Sequence, residues 1–183
     1  DGFTYEKDGI TVVATAYAGV STIDDVTEDN ATRLIQDLSP QDSGLGAWSE
    51  TDSSADQTQF ESAEAISFVF DTLVHLTNVE FNRGGDTSCT PYSDANPGEG
   101  PCGFFQLFVD GVDMGVVEAT NLIASLGIGM SFVLIALDLD NEIAGGFTVA
   151  QFTVAEVPVP AALPLLLSGL AGLGFASRRR KTA

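Results

Sequence analysis

The sequence predicts an all-β protein: an antiparallel, jelly-roll-like β-sandwich of about eight strands followed by a C-terminal hydrophobic helix. Three observations carry this. The 183 residues include 19 Gly and 12 Phe but only seven Lys and Arg together and two Met, an inventory suited to strands and tight turns. Short apolar-alternating runs are separated by Gly, Asp and Asn, with no sustained helical period between them. Near the end, one long uncharged stretch breaks that rhythm.

The first two strands run from Phe3 to Glu6 and from Ile10 to Ala18, separated by Lys7-Asp8-Gly9. Asp-Gly is the pair that a two-residue hairpin turn with positive φ prefers. Ala31 to Leu38 fits either a strand or a short helix, because Leu34, Ile35 and Leu38 follow the acidic Glu28 and Asp29. Ile66, Phe68 and Phe70 line one face of the next strand. Val74, Leu76, Val79 and Phe81 continue it, with a phase change at Thr77-Asn78 that predicts a bulge. Phe104 to Val109, Asp110-Gly111 and Val112 to Glu118 read as a second Asp-Gly hairpin. Phe132 to Leu137 is apolar on both faces, as in a central strand, and Gly145-Gly146 precede a last strand from Phe147 to Val154.

Charge divides the chain in two. Residues 1–156 hold all 26 acids against Lys7, Arg33 and Arg83, a net charge of −23, which opposes nucleic-acid binding. Residues 157–183 hold no acid and four bases, Arg178, Arg179, Arg180 and Lys181. We therefore divide the protein into an acidic domain, 1–156, and a C-terminal segment, 157–183.

The uncharged run Ala161 to Ala176 would span about 24 Å as a helix, against a hydrocarbon core of ~30 Å. Ser168, Gly172 and Ala176 would share one face of small side chains suited to packing in a bilayer. The basic cluster places the C-terminus in the cytoplasm and the acidic domain outside. Pro158, Pro160 and Pro164 keep the entry extended or kinked and open to a protease. A short permanent anchor and a buried core helix are the plainer readings, and the second leaves the basic end unexplained.

This order of elements resembles a known signal. Val157-Pro158-Val159-Pro160-Ala161, the hydrophobic run, and Arg178-Arg179-Arg180-Lys181 are similar to a PEP-CTERM-type sorting tag. The match is to the variant in which Val-Pro-Leu-Pro-Ala replaces Val-Pro-Glu-Pro, and Val159 stands where that variant has Leu. The resemblance implies export by a Gram-negative bacterium, recognition by an exosortase-type membrane protease, and cleavage near the Pro motif for release or attachment at the cell surface. Residues 44–154 more loosely resemble bodies found upstream of such tags. The start at Asp1, with no leader, reads as a mature form whose export signal has been removed.

Cys89 and Cys102 flank a loop rich in Gly, Pro, Ser and Asp. In an exported protein they read as a disulfide, worth about 3 kcal/mol for a loop of this length. No catalytic constellation accompanies them. His75 is the only histidine, so a Ser or Cys nucleophile would have one available imidazole base, and no phosphate-cradling or dinucleotide-binding motif is present. Two acidic stretches are candidate calcium ligands: Glu50, Asp52 and Asp56, joined by Glu61, and Asp138, Asp140 and Asn141, joined by Glu142. Ile143 stands where an EF-hand loop requires Gly, and the simpler reading is that these acids keep the domain hydrated. Trp48, Tyr17 and Tyr92 are candidates for stacking on sugar rings, although Trp48 sits in a strand-like stretch and reads as packing.

The sequence therefore points to a non-catalytic exported surface or matrix protein. One alternative is a self-assembling extracellular filament subunit that keeps its tail helix. The other is a calcium-dependent carbohydrate-binding module with extracellular polysaccharide as its partner. Their tests differ: the filament retains residues 157–183, and the module loses stability or glycan retention on chelation.

Overall fold

Eleven strands, every pairing between them antiparallel, dominate the described part of the protein in a computed structural model. The described residues are 2–37, 44–47, 63–83, 87–88, 102–120, 122–137 and 147–158. The strands are β1 (Phe3–Lys7), β2 (Ile10–Ala18), β3 (Ala31–Thr32), β4 (Leu34–Asp37), β5 (Gly44–Ala47), β6 (Glu64–Arg83), β7 (Thr87–Ser88), β8 (Phe104–Val109), β9 (Val112–Glu118), β10 (Ile123–Leu137) and β11 (Thr148–Glu156). The all-β class follows. The only helical pieces among the described residues are two 3-10 turns, Ile23–Asp25 and Glu28–Asn30.

Both Asp-Gly hairpins form. Asp8 and Gly9 lie at φ 54° and 83°, and Asp110 and Gly111 at 49° and 78°, the left-handed pair whose twist matches antiparallel strands. The ambiguous segment resolves as strand: Leu34–Asp37 pairs with Ala47–Gly44. The acids Glu28 and Asp29 instead open the second 3-10 turn.

Hydrogen bonding runs in the order β4-β5-β11-β6-β10-β8-β9, with β2 also joined to β6, and β1 and β3 to β2. The longest strand explains how this becomes a core. The first half of β6 pairs with β2 and with the end of β10, whereas its second half pairs with β11 and with the start of β10. Between the halves, the register against β10 slips across residues 70–73, from Val69↔Ser131 to Val74↔Gly129. Phe105 lies level with the start of β6, and Phe81 is sixteen residues on from Ala65, about 53 Å along a straight strand. Their ring centroids are 5.3 Å apart. The sheet is therefore folded over at this corner into two layers packed face to face.

Alternation then sorts the side chains. Ala14, Ile66, Phe68, Phe70, Phe105, Phe132 and Leu134 from one layer meet Val74, Leu76, Phe81, Phe147 and Val149 from the other, all buried. Edge-to-face aromatic contacts bridge the layers, including Phe68 with Phe152 at 5.0 Å and Phe70 with Phe152 at 6.3 Å. A second, smaller cluster lies on the outer face of the first layer, where Val20, Ile23 and Val26 cover Ala65, Phe108, Val133 and Ile135. The predicted irregularity at Thr77-Asn78 is present: Asn78 adopts φ 48°, and the β6–β11 register shifts beside it.

Candidate functional site

Two places in the described structure bear on function: the exit of the chain toward its tail, and a cleft between the layers. The exit is built by β11. This strand keeps one register with β6 from Thr153↔Thr77 to Glu156↔Val74, and the Val157 N–H extends it by donating to the Leu73 carbonyl at 3.1 Å. Pro158 has no N–H to donate, so the ladder cannot continue through it. The last acid, Glu156, is thus also the last residue of the last described strand. Val159, Pro160, Ala161 and Arg178 to Lys181 lie outside the described residues, as does the predicted hydrophobic helix. Among the described residues, no helix is long and apolar enough to cross a membrane.

The cleft opens beside the β1–β2 hairpin. Phe3, Tyr5 and Lys7 pair with Ala14, Val12 and Ile10, so they point to the same side as the core residues of β2. Yet every residue of β1 is exposed, and among the described strands β1 pairs with β2 alone, at the edge of its layer. The result is a cavity of about 480 Å³ whose floor includes Phe68, Phe70 and Phe152. Val12, Leu45, Val149 and Val154 also line it, and Tyr5, Lys7, Asp8, Gln36 and Thr153 carry polar side chains around it. The Tyr5 ring makes an edge contact with Phe3, centroids 6.3 Å apart. Partial burial pushes the Tyr5 phenol above its ordinary value, still further from ionisation at neutral pH, and its hydroxyl can donate.

The predicted site residues are distributed as follows. Cys102 is fully buried and disulfide-bonded. Cys89, the other cysteine of the sequence, lies outside the described residues. So do all the candidate calcium ligands, Glu50, Asp52, Asp56, Asp138, Asp140 and Asn141. Among the described residues, no three His, Cys, Asp or Glu side chains gather closely enough to hold a metal ion. His75 faces outward on β6 beside Ile128 and Ala155, with its Nε2 2.9 Å from the Ser125 hydroxyl. Tyr17 packs on the smaller cluster and shares a 3.2 Å hydrogen bond with Ser67. Trp48 and Tyr92 lie outside the described residues.

The sequence alone does not reveal the cleft. Its lining comes from β1, β2, β4, β5, β6 and β11, and only the fold-over of β6 brings these together. The one local hint is Tyr5, an aromatic placed in phase with the core side of a strand too near the edge to be covered.

Comparison with known protein families, with curated proteins and with solved structures gives no match.

Proposed function

We propose that this is a non-catalytic, exported bacterial surface or matrix protein: an acidic domain delivered to the cell exterior by processing of its C-terminal segment. In this reading residues 157–183 are a sorting signal made of the Pro motif, a hydrophobic helix and the basic end, and the acidic domain is a jelly-roll-like sandwich. The observation that carries it is the coincidence of three changes at one point. At Glu156 and Val157 the acids end, the uncharged run begins, and β11 gives way to a proline-bounded segment. A protease needs extended, accessible backbone, and prolines spaced two apart directly after a strand supply it.

The partner is an exosortase-type membrane protease, with the tail helix held in the membrane until cleavage. The test is expression of the full chain in a Gram-negative host with and without such a protease. Release into the medium that requires the protease, and that falls when Pro158 and Pro160 are both changed to Ala, supports the proposal. Equal release in both hosts overturns it.

One observation favours the filament subunit as a second reading. Strand β9 ends the hydrogen-bonded order and presents Val112, Met114 and Val116 to solvent, all more than half exposed. Exposed edges of this kind invite pairing with another copy. Electron microscopy of the released protein separates the two: filaments that retain residues 157–183 support assembly, and discrete tail-less particles support sorting.

A further inference from the structure

We infer that the cleft beside the β1–β2 hairpin binds a medium-chain carboxylate amphiphile, its chain lying between the two layers and its head held at Lys7. The inference does not depend on how the tail is processed. A cavity of about 480 Å³ has the size of a small-molecule site, which typically spans ~300–1,000 Å³. Its most buried lining is apolar: Phe68, Phe70, Val12 and Val149 are buried, and Phe152 and Val154 are half-buried beside them. A sugar placed there would bury hydroxyls without partners, at a cost of about 1–3 kcal/mol for each unpaired group. An alkyl chain meets no such penalty, and each buried methylene adds favourable transfer free energy.

The polar side chains of the lining, those of Tyr5, Lys7, Asp8, Gln36 and Thr153, all belong to exposed residues, and all but Asp8 can donate. Lys7 brings three N–H donors and a positive charge, Tyr5 a protonated phenol, and Gln36 an amide. Lys7 is one of only three basic residues in the first 156, so a cation at the mouth of the cleft is a scarce feature of this protein. The surrounding acids repel an anion at long range. At physiological ionic strength, however, a Debye length of ~8 Å leaves the nearest groups to decide. The opposing neighbour is Asp8, on the hairpin turn, and it should weaken the head contact.

The test uses the full-length chain in lipid nanodiscs and decanoate carrying a diazirine near the end of its chain. After irradiation, mass spectrometry of the digest is expected to find label in peptides bearing Val12, Phe70 or Val154, and unlabelled decanoate should displace it. Lys7→Gln should weaken decanoate competition about three- to fivefold, the scale of one exposed ion pair, while leaving competition by decanol unchanged. Asp8→Asn should strengthen decanoate competition. Both positions are exposed, and thermal melting of each variant checks that it stays folded. Label confined to residues 157–183, label that decanoate does not displace, or Lys7→Gln without effect on decanoate would each overturn the inference.

Discussion

Asp110 holds two structures together at once. Its own backbone supplies the left-handed first position of the β8–β9 turn. Its Oδ1 accepts from the N–H groups of Met130 and Ser131 at 2.9 and 2.8 Å, where β10 passes from one layer to the other. Asp110→Ala keeps neither role. We expect it to cost about 1–2 kcal/mol and to lower the melting temperature by roughly 2–8 °C, with Asp110→Asn closer to the native value. Asp25 gives a second prediction at this scale. Its carboxylate accepts from the Ser21 backbone, the Thr22 hydroxyl and the Thr22 backbone, and these bonds hold it below the usual aspartate range. A lowered folded value means that the stabilisation is present above the ordinary aspartate pKa and is lost as pH falls through the lowered one. The Ser21 and Thr22 amide resonances should therefore titrate with a midpoint below that of a free aspartate, and Asp25→Asn should abolish the transition.

At the scale of elements, glycine positions separate turns that tolerate a side chain from strands that do not. A Cβ on Gly111 meets open space, so Gly111→Ala carries only the positive-φ penalty of roughly 1–2 kcal/mol. A Cβ on Gly44 would run into the backbone of Val149 and Ala150, where β5 lies against β11, and φ there is also positive. Gly44→Ala should therefore be clearly the more destabilising of the two in chemical denaturation, because it must push β5 away from β11 as well as strain one residue. The same contrast explains what the chain makes legible. The two Asp-Gly hairpins are readable because their turn chemistry is local, and the faces of β6 because Ile66, Phe68, Phe70, Val74 and Leu76 alternate cleanly on either side of the corner. The first half of β10 is not, since Ile123-Ala124-Ser125-Leu126-Gly127-Ile128-Gly129 mixes small residues without alternation and is held as a strand by its neighbours. The fold-over of β6 leaves no local mark beyond the loss of phase across residues 71–73, because it depends on partners far away in sequence. The cleft inherits that invisibility.

For the molecule as a whole, charge sets the behaviour. A net −23 over residues 1–156 works against compaction, so the melting temperature should rise as sodium chloride is increased from about 10 to 150 mM and screens the repulsion. A chelator separates this from specific calcium binding: if the acidic stretches serve hydration alone, melting at fixed ionic strength is unchanged, and a drop would favour the calcium-dependent module. The same charge map underlies the central claim, because the acidic domain and the basic, apolar tail suit opposite sides of a membrane. The most direct test is the intact mass of the protein collected outside the cells that export it. We expect a mass that lacks the hydrophobic run and Arg178 to Lys181, with the new terminus near Val157 to Ala161. A released protein that still carries its C-terminus through Ala183 would contradict the account.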